Sequence, residues 1–234
     1  MSKLGNLGNE LKASHAHAKR LQDEIDAIQD ASDHRVNHSI PLPRTGIDYA
    51  FAPHPPADKL RSAGITFVCR YLTGPGKLLT YTEALDISAQ GIDLVALYET
   101  TGTTFKGGFA EGRADAKIAI HALDVLKPHG NPPIIFTCDA DVAGEGLTGT
   151  AMEYIRGAVS EIGWHRVGLY AGYEPIITAY RENRCKYLFQ TYAWSGGKWS
   201  PNAQLRQVQN GIHLFGADCD LDKAVAADFG QFRV

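Results

Sequence analysis

The chain has 234 residues, of which 44% are hydrophobic and 21% charged, a composition typical of a soluble globular protein with one large or two small domains. Its formal net charge of −3 provides no positive field that would attract nucleic acid. No run approaches the ~20 apolar residues that a membrane-spanning helix needs, so the sequence predicts neither a nucleic-acid partner nor a membrane span.

The N-terminal segment has the pattern of an amphipathic helix. Mostly apolar residues recur in alternating steps of three and four from Leu4 to Ile28, which is the spacing of a coiled-coil seam. Residues 1–32 are therefore predicted to form a helical arm, either a single amphipathic helix or an oligomerising one. The polar, proline-bearing stretch 33–44 is predicted to be a linker, and 45–234 the main domain. The chain start lacks an apolar signal-peptide core, which indicates synthesis in a cytoplasm.

Beyond the linker, strand and helix patterns alternate. Runs rich in β-branched and aromatic residues predict eight strands, at 46–50, 65–72, 92–99, 132–140, 166–172, 186–193, 204–209 and 216–220. Helical patterns lie between most of them, at 55–64, 80–91, 110–130, 148–163 and 174–184. Such alternation predicts an α/β fold with a parallel sheet and helical crossovers. Eight strands in this length favour a compact (β/α)8 TIM-like barrel, with an open doubly wound sheet as the alternative.

Acidic residues gather at the predicted carboxyl ends of four strands. These residues are Asp48, Glu99, Asp139, Asp141, Asp220 and Asp222. Aromatic and amide side chains lie at or near strand ends as well: Tyr71, Tyr98, Tyr170, Gln190, Trp194 and Gln209. Active sites of such barrels lie at the carboxyl ends of the strands. Because turn preference alone would spread aspartates over both ends, their convergence on one rim indicates a functional site.

An acidic rim with aromatic walls suits two kinds of ligand. Carboxylate pairs hydrolyse glycosidic bonds, with one protonated acid and one ionised group, and crowding supplies the raised pKa that the acid needs. Aromatic faces and amide groups suit sugar rings. A hard cation such as Ca²⁺ or Mg²⁺ also binds carboxylate oxygens and remains an alternative.

Other motifs in the sequence are weaker. The segment TGPGKLLT at 73–80 contains Gly-x-Gly-Lys but lacks the spacing of a phosphate-binding loop. The four cysteines are widely spaced, and most lie in or beside apolar runs, which predicts buried thiols rather than disulfides. We expect no cofactor and assign no metal ligands.

Several short segments, taken together, resemble a known family. GIDYAF, ITFVCRYLTGPGKLLT, PIIFTCDADV, GLYAGYEPI and ADCDLDKAV occur in this order. The body resembles the glycoside-hydrolase-like domain of unknown function found in actinobacteria and their phages. That family is similar to the family-25 glycoside hydrolases, the N-acetylmuramidase lysozymes with an eight-stranded β/α barrel. The resemblance covers about residues 44–234.

The resemblance implies roles for individual acids. Asp48 matches the aspartate that ends the first strand and would position the substrate, and Asp139 matches the first acid of the muramidase Asp-x-Glu pair. Asp141 stands where that pair has its glutamate and is one methylene shorter. The proton donor would be Asp141 or, reaching across from the neighbouring strand, Glu99, and Asp139 would be the ionised stabiliser or the nucleophile. Asp222 matches a late position of the eighth strand and would line the sugar cleft.

These expectations combine into one functional hypothesis. The protein would hydrolyse a β-glycosidic bond in a peptidoglycan-type cell-wall glycan, and we expect a phage-encoded virion tail protein that acts at the host cell wall. The arm at 1–32 would join a homo-oligomer or other virion proteins. The alternative is a catalytically inactive glycan-binding or structural phage tail protein with the same barrel.

Overall fold

Eight β-strands close into a barrel in the order β1 to β8 in the computed structural model, which describes residues 41–234 apart from Ala143. The strands are β1 (Arg44–Asp48), β2 (Phe67–Tyr71), β3 (Asp93–Tyr98), β4 (Ile134–Thr137), β5 (Val167–Ala171), β6 (Tyr187–Thr191), β7 (Leu205–Leu214) and β8 (Ala217–Ala224). The predicted barrel is confirmed, and the open sheet was the wrong alternative. The arm at 1–32 and most of the linker at 33–44 lie outside the described residues and stay predictions.

Five α-helices follow the first five strands, as the sequence pattern predicted. They are α1 (Ala57–Ser62), α2 (Tyr81–Ala89), α3 (Gly108–Val125), α4 (Glu145–Ile162) and α5 (Tyr173–Arg181), with short 3₁₀ turns at Thr104–Gly107 and Trp164–Arg166. The start of helix α2 is set by a residue next to it in the sequence. The Thr80 side chain accepts a hydrogen bond from the Glu83 N–H and thereby caps the first turn. None of the helices in the described part of the chain is long and apolar enough to cross a membrane.

The strands are buried on both faces because the barrel has two apolar layers. On β2, Phe67 and Cys69 belong to the layer inside the barrel, whereas Val68 belongs to the layer between strands and helices. This alternation follows from the two-residue period of a strand, and burial on both faces explains the nearly continuous apolar runs in the sequence. The rim above the inner layer is where polar side chains replace apolar ones.

The last strand runs in the opposite direction to the other seven. β8 pairs antiparallel with both β7 and β1, so the prediction of a wholly parallel sheet was wrong for this strand. Phe215 and Gly216 connect β7 to β8 with φ of 51° and 88°, a two-residue turn whose positive φ values suit a tight hairpin. The start of β8, rather than its end, therefore lies at the functional rim.

Candidate active site

Four of the six predicted acids line one small cleft at the carboxyl ends of the parallel strands. We call this cavity, of about 80 Å³, the acid cleft. Its acidic lining consists of Asp48, Glu99, Asp139 and Asp220. Tyr71, Tyr170, Thr137 and Gln207 complete most of its polar wall. The topology therefore brings together acids that are more than 170 positions apart in the chain, from Asp48 to Asp220.

A larger cavity adjoins the acid cleft. This outer cavity has a volume of about 260 Å³ and shares Asp48, Tyr71 and Asp220 with the acid cleft. It extends to Phe51 on the loop after β1 and to Asp218 at the start of β8. The two cavities together give room for more than one group of a ligand at the rim.

Gln207 holds the floor of the acid cleft together. Its amide nitrogen donates to Asp48 Oδ2 at 2.8 Å and to Asp220 Oδ2 at 3.1 Å. Its amide oxygen accepts hydrogen bonds from the Tyr170 hydroxyl at 2.7 Å and from the Thr191 hydroxyl at 2.8 Å. Burial, followed by the neighbouring Asp220 carboxylate, raises the pKa of Asp48 to about 7. A proton is therefore available on this carboxyl group near neutral pH.

Glu99 is paired with a cation. The Lys77 ammonium lies 2.7 Å from Glu99 Oε1, and the Thr137 hydroxyl donates to Glu99 Oε2 at 3.2 Å. Both contacts fix the position of the Glu99 carboxyl group in the cleft. The same ammonium lies over the Tyr71 ring, 4.9 Å from its centroid, so the loop that carries Lys77 is held against the cleft wall.

Asp139 stands where the acid cleft opens to solvent. Strand β4 ends at Thr137, and Asp139 follows two residues later. Desolvation in the cleft and then the nearby Glu99 carboxylate raise the pKa of Asp139, while Lys77 opposes the shift. Glu99 and Asp139 thus occupy contrasting electrostatic settings within one cleft, as two carboxyl groups with different tasks require.

Asp222 lies beneath the cleft. Because β8 is antiparallel, Asp220 pairs with Asp48 near the rim and Asp222 pairs with Gly46 deeper in the barrel. Asp222 is fully buried, and neither carboxyl oxygen has a hydrogen-bond partner of normal geometry among the described residues. Burial and the neighbouring Asp48 raise the pKa of Asp222 far above its usual range. The resemblance placed Asp222 in the sugar cleft, whereas the structure buries it below the cleft.

Five further residues that the sequence assigned to the site lie away from both cavities. Asp141, Trp194 and Gln209 are exposed, because β4 ends before Asp141 and the other two follow a turn and a bulge. Tyr98 faces the helices and donates to Asp115 Oδ1 at 3.1 Å. Gln190 is fully buried and holds the loop after β6, accepting from the Ser200 N–H at 2.8 Å.

The sequence reasoning missed two residues that organise the cleft. Gln207 was missed because the sequence placed the rim at the predicted strand end, Gln209. Register shifts that begin after Gln207 remove Gln209 from the face that Gln207 occupies. Lys77 was missed because it lies in the segment 73–80, which was set aside when its spacing did not match a phosphate-binding loop. Gly74 and Gly76 adopt positive φ values in this segment, and such a loop shape cannot be read from composition alone.

The acids of the cleft do not form a metal-binding cluster in the described part of the chain. No group of three histidine, cysteine, aspartate or glutamate residues there is arranged to hold a metal ion. The four cysteines are free and buried, in agreement with the sequence prediction.

Two comparisons identify one mycobacterial protein as a relative. The chain is 28% identical over 202 residues to the candidate peptidoglycan hydrolase Rv2525c of Mycobacterium tuberculosis, covering 80% of this chain and 83% of that protein. The crystal structure of the Tat-secreted protein Rv2525c with L-tartrate superposes with a TM-score of 0.75 and 27% identity, covering 82% of this chain and 99% of that chain. The expected phage virion location was wrong, since this relative is a secreted bacterial protein.

More distant structures share the fold. The autolysin LytC of Streptococcus pneumoniae, solved with a synthetic peptidoglycan ligand, has a TM-score of 0.56 at 12% identity and covers 78% of this chain and 46% of its own. The glycosyl hydrolase 25 GHIP of the same organism has a TM-score of 0.52 at 12% identity, covering 85% of this chain and 90% of its own. These likenesses confirm the barrel.

The family itself follows from the sequence match. The model of the Rv2525c-like, glycoside hydrolase-like domain matches residues 58–225, which span β2 to β8 and all but the first position of α1. The resemblance inferred from the short segments is thereby confirmed. The protein belongs to the family of Rv2525c-like, glycoside hydrolase-like domains.

Proposed function

We propose that the protein hydrolyses a glycosidic bond of a peptidoglycan-type cell-wall glycan in the acid cleft. One observation carries this proposal: Glu99 and Asp139 line the same cleft in opposite electrostatic settings. Glu99 is ion-paired with Lys77 at 2.7 Å, whereas the pKa of Asp139 is raised by desolvation and by Glu99. Membership in a glycoside hydrolase-like family and the name given to Rv2525c support the choice of substrate.

The chemistry assigns a different task to each of the two groups. Asp139 in its acid form donates its proton to the glycosidic oxygen, and the ionised Glu99 stabilises the positive charge that develops on the sugar ring. Water then adds its hydroxyl group to the anomeric carbon, and its remaining proton restores the Asp139 acid. Asp48, held by Gln207 at 2.8 Å, positions the sugar from the cleft floor.

This assignment differs from the roles that the resemblance implied. The sequence favoured Asp141 or Glu99 as the proton donor and Asp139 as the ionised group. Asp141 is not among the residues that line the described cavities, whereas Asp139 lines the acid cleft. General acid catalysis depends on hydrogen-bond reach to the leaving oxygen. We therefore propose Asp139 as the donor and give Asp141 no part in the reaction.

The test compares three isosteric variants on purified cell wall. New reducing ends are quantified for the wild type, Asp139→Asn, Glu99→Gln and Asp141→Asn. We expect a loss of about 100-fold or more in the first two variants, since general acid or charge stabilisation is removed. Asp141→Asn serves as the matched control and should retain the wild-type rate. Equal losses in Asp139→Asn and Asp141→Asn would refute the assignment of the donor.

A barrel that binds wall glycan without cleaving it is the second candidate. The position of Asp141 outside the lining of the acid cleft favours it, because the residue that matches the muramidase proton donor is then absent from the cleft. This candidate predicts that the wild type sediments with cell wall but releases no reducing ends above the Glu99→Gln background. Reducing-end release by the wild type would dispose of it.

A further inference from the structure

A fully buried aspartate lies on the inner face of the barrel, between the acid cleft and the inner apolar layer. Asp222 has no exposed surface. Ala224, two residues further along β8, belongs to the inner apolar layer, and Asp220, two residues before it, lines the acid cleft. Because residues two apart in a strand share a face, the Asp222 side chain points into the barrel below the cleft.

Asp222 lacks the partners that a buried ion needs. Neither of its carboxyl oxygens has a hydrogen-bond partner of normal geometry among the described residues. The charged groups that act on it most strongly, Asp48 and Asp220, are both acidic. A buried carboxylate without a cation or N–H donors is costly, and such a group binds a proton instead. The surroundings therefore favour the acid form of Asp222.

The polar groups that face Asp222 in the described part of the chain come from five strands. The titratable ones are Asp48 on β1, Cys69 on β2, Tyr170 on β5 and Asp220 on β8, and Gln207 on β7 is its neutral cross-strand partner. This set includes no lysine, arginine or histidine. Burial raises the pKa of the Cys69 thiol and of the Tyr170 hydroxyl, so both keep their own protons. The acceptor for a proton on Asp222 must therefore be another carboxyl group.

Asp48 is the carboxyl group that interacts directly with Asp222. The two are diagonal neighbours on paired antiparallel strands, since Asp222 pairs with Gly46 and Asp48 pairs with Asp220, and their side chains are in contact. Two ionised carboxylates can only accept hydrogen bonds, so this contact becomes a hydrogen bond when one of them carries a proton.

The other contacts of Asp48 decide which group carries the proton. Asp48 accepts hydrogen bonds from the Gln207 amide at 2.8 Å and from the Tyr71 hydroxyl at 3.5 Å. Donors of this kind favour the ionised form of the group that accepts from them. Asp222 has no such donors among the described residues, so the proton belongs on Asp222.

We propose that Asp222 is a positioning residue that keeps its proton at neutral pH and donates it in a hydrogen bond to Asp48. The two carboxyl groups then hold one proton between them once Asp48 is ionised, and together they carry one negative charge rather than two. A neutral, buried carboxylic acid that donates to a charged group has precedent in enzyme active sites.

The consequence for catalysis rests on the proposed function, in which Asp48 positions the sugar. Asp222 is not among the residues that line the acid cleft, so it acts through Asp48. Its hydrogen bond would add to that of Gln207 and fix the direction of the Asp48 carboxylate at the cleft floor. The shared proton itself does not depend on whether hydrolysis occurs.

Infrared difference spectroscopy of the full-length protein tests the shared proton directly. At about pH 8 an ordinary aspartate is ionised, and most Asp48 has lost its proton, since its pKa is about 7. The spectrum of the wild type minus that of Asp222→Asn should then show the carbonyl band of one protonated carboxyl group. Asp222→Leu, a second variant without the carboxyl group, should give the same band.

An exposed aspartate of the same strand supplies the matched control. The side chain of Asp218 is 94% exposed, and the wild type minus Asp218→Asn should show no protonated carboxyl band. Absence of the band from the differences with both Asp222 variants, or an equal band with Asp218→Asn, would overturn the inference.

A second readout distinguishes the donated hydrogen bond from simple packing. An asparagine amide can donate to Asp48 as the acid does, whereas leucine cannot. Asp222→Leu should slow the release of reducing ends from purified cell wall by about tenfold, the size of a hydrogen bond to a charged group. Asp222→Asn should restore most of that loss. Equal losses in the two variants would refute the positioning role.

The two readouts separate this inference from the proposed function. The infrared band in a protein that releases no reducing ends would support the shared proton and refute hydrolysis. Release of reducing ends by a wild type that lacks the band would leave the proposed function standing and refute the shared proton.

Discussion

Asp48 links the chemistry of the cleft to the stability of the fold. Its carboxyl group is buried and shares Gln207 with Asp220, and its pKa rises from 3.8 to about 7. An acid with a raised pKa binds its proton more tightly in the folded state than in the unfolded state. Its stabilising contribution is therefore fully present below about pH 4 and is lost as the pH rises through 7.

This shift predicts the pH dependence of stability. Wild-type stability should fall between about pH 4 and pH 8, with Asp48 responsible for on the order of 4 kcal/mol. Asp48→Asn removes this titration and should flatten the decline, although the other cleft acids continue to titrate. Chemical denaturation at several pH values measures the effect. An unchanged slope in the variant would show that the Asp48 pKa is not raised.

Gln207 permits a second prediction for a single residue. Gln207→Leu removes partners from two carboxyl groups and two hydroxyl groups and should lower the free energy of unfolding by about 2–4 kcal/mol. Gln209→Leu alters an exposed position of the same strand and should change it by less than about 0.5 kcal/mol. Urea unfolding compares the two variants, and similar losses in both would contradict the role of Gln207 as the organising residue.

For single residues, the sequence predicted the acids that line the cleft better than the residues that hydrogen-bond to them. Asp48, Glu99 and Asp139 follow from a simple rule, because polar residues at the carboxyl ends of parallel strands meet at one rim. Gln207 was missed because the sequence took Gln209 as the rim residue of this strand, and the register shift between the two cannot be read from the alternation of residues. Asp141 was placed too close to the site, since the alternation assumed there stops where β4 ends, at Thr137.

Helices α3 and α4 show how two elements depend on glycine for their contact. A Cβ atom on Gly112 would lie 1.9 Å from the Tyr154 carbonyl oxygen, and one on Gly157 would lie 2.1 Å from the Phe109 carbonyl oxygen. Each glycine therefore lets one helix approach the backbone of the other. Asp115 of α3 accepts a hydrogen bond from Tyr98 of β3, and Tyr154 of α4 packs against Phe136 of β4. Glu99 and Asp139 follow the ends of these two strands.

The close contact of α3 with α4 predicts that glycine-to-alanine substitutions change the stability of the protein in opposite directions inside and outside the contact. Gly112→Ala and Gly157→Ala should destabilise the protein by about 2–4 kcal/mol through overpacking, despite the higher helix propensity of alanine. Gly149→Ala, an exposed position of α4 with open space around it, should stabilise by about 0.5–1 kcal/mol. Thermal unfolding of the three variants measures these differences. A stabilising Gly112→Ala would contradict the close packing of the helices.

The elements were predicted with unequal success for a physical reason. The five helices are encoded locally, by amphipathic spacing and caps such as Thr80, so each could be recognised from a short window. The direction of β8 depends on the Phe215–Gly216 turn and on pairing with β1 across the barrel. No short window of sequence contains that pairing, and strand alternation alone wrongly favoured a parallel strand.

The whole molecule combines a barrel of the Rv2525c-like family with an N-terminal segment whose helical form and role are predictions. The family match covers residues 58–225, whereas the heptad seam runs through residues 4–28. If the seam oligomerises, light scattering of the full chain should give a mass of at least two chains. Leu21→Asp places a charge in the seam and should reduce that mass to one chain. A monomeric wild type would contradict the oligomerising arm.

The central claim is that water cleaves a glycosidic bond in the acid cleft. The most direct test is digestion of purified cell wall in water enriched in oxygen-18, followed by mass spectrometry of the released sugars. Our account predicts one solvent oxygen at each new reducing end, with product formation abolished in Asp139→Asn and retained in Asp141→Asn. Products without solvent oxygen, or no products from the wild type, would contradict it.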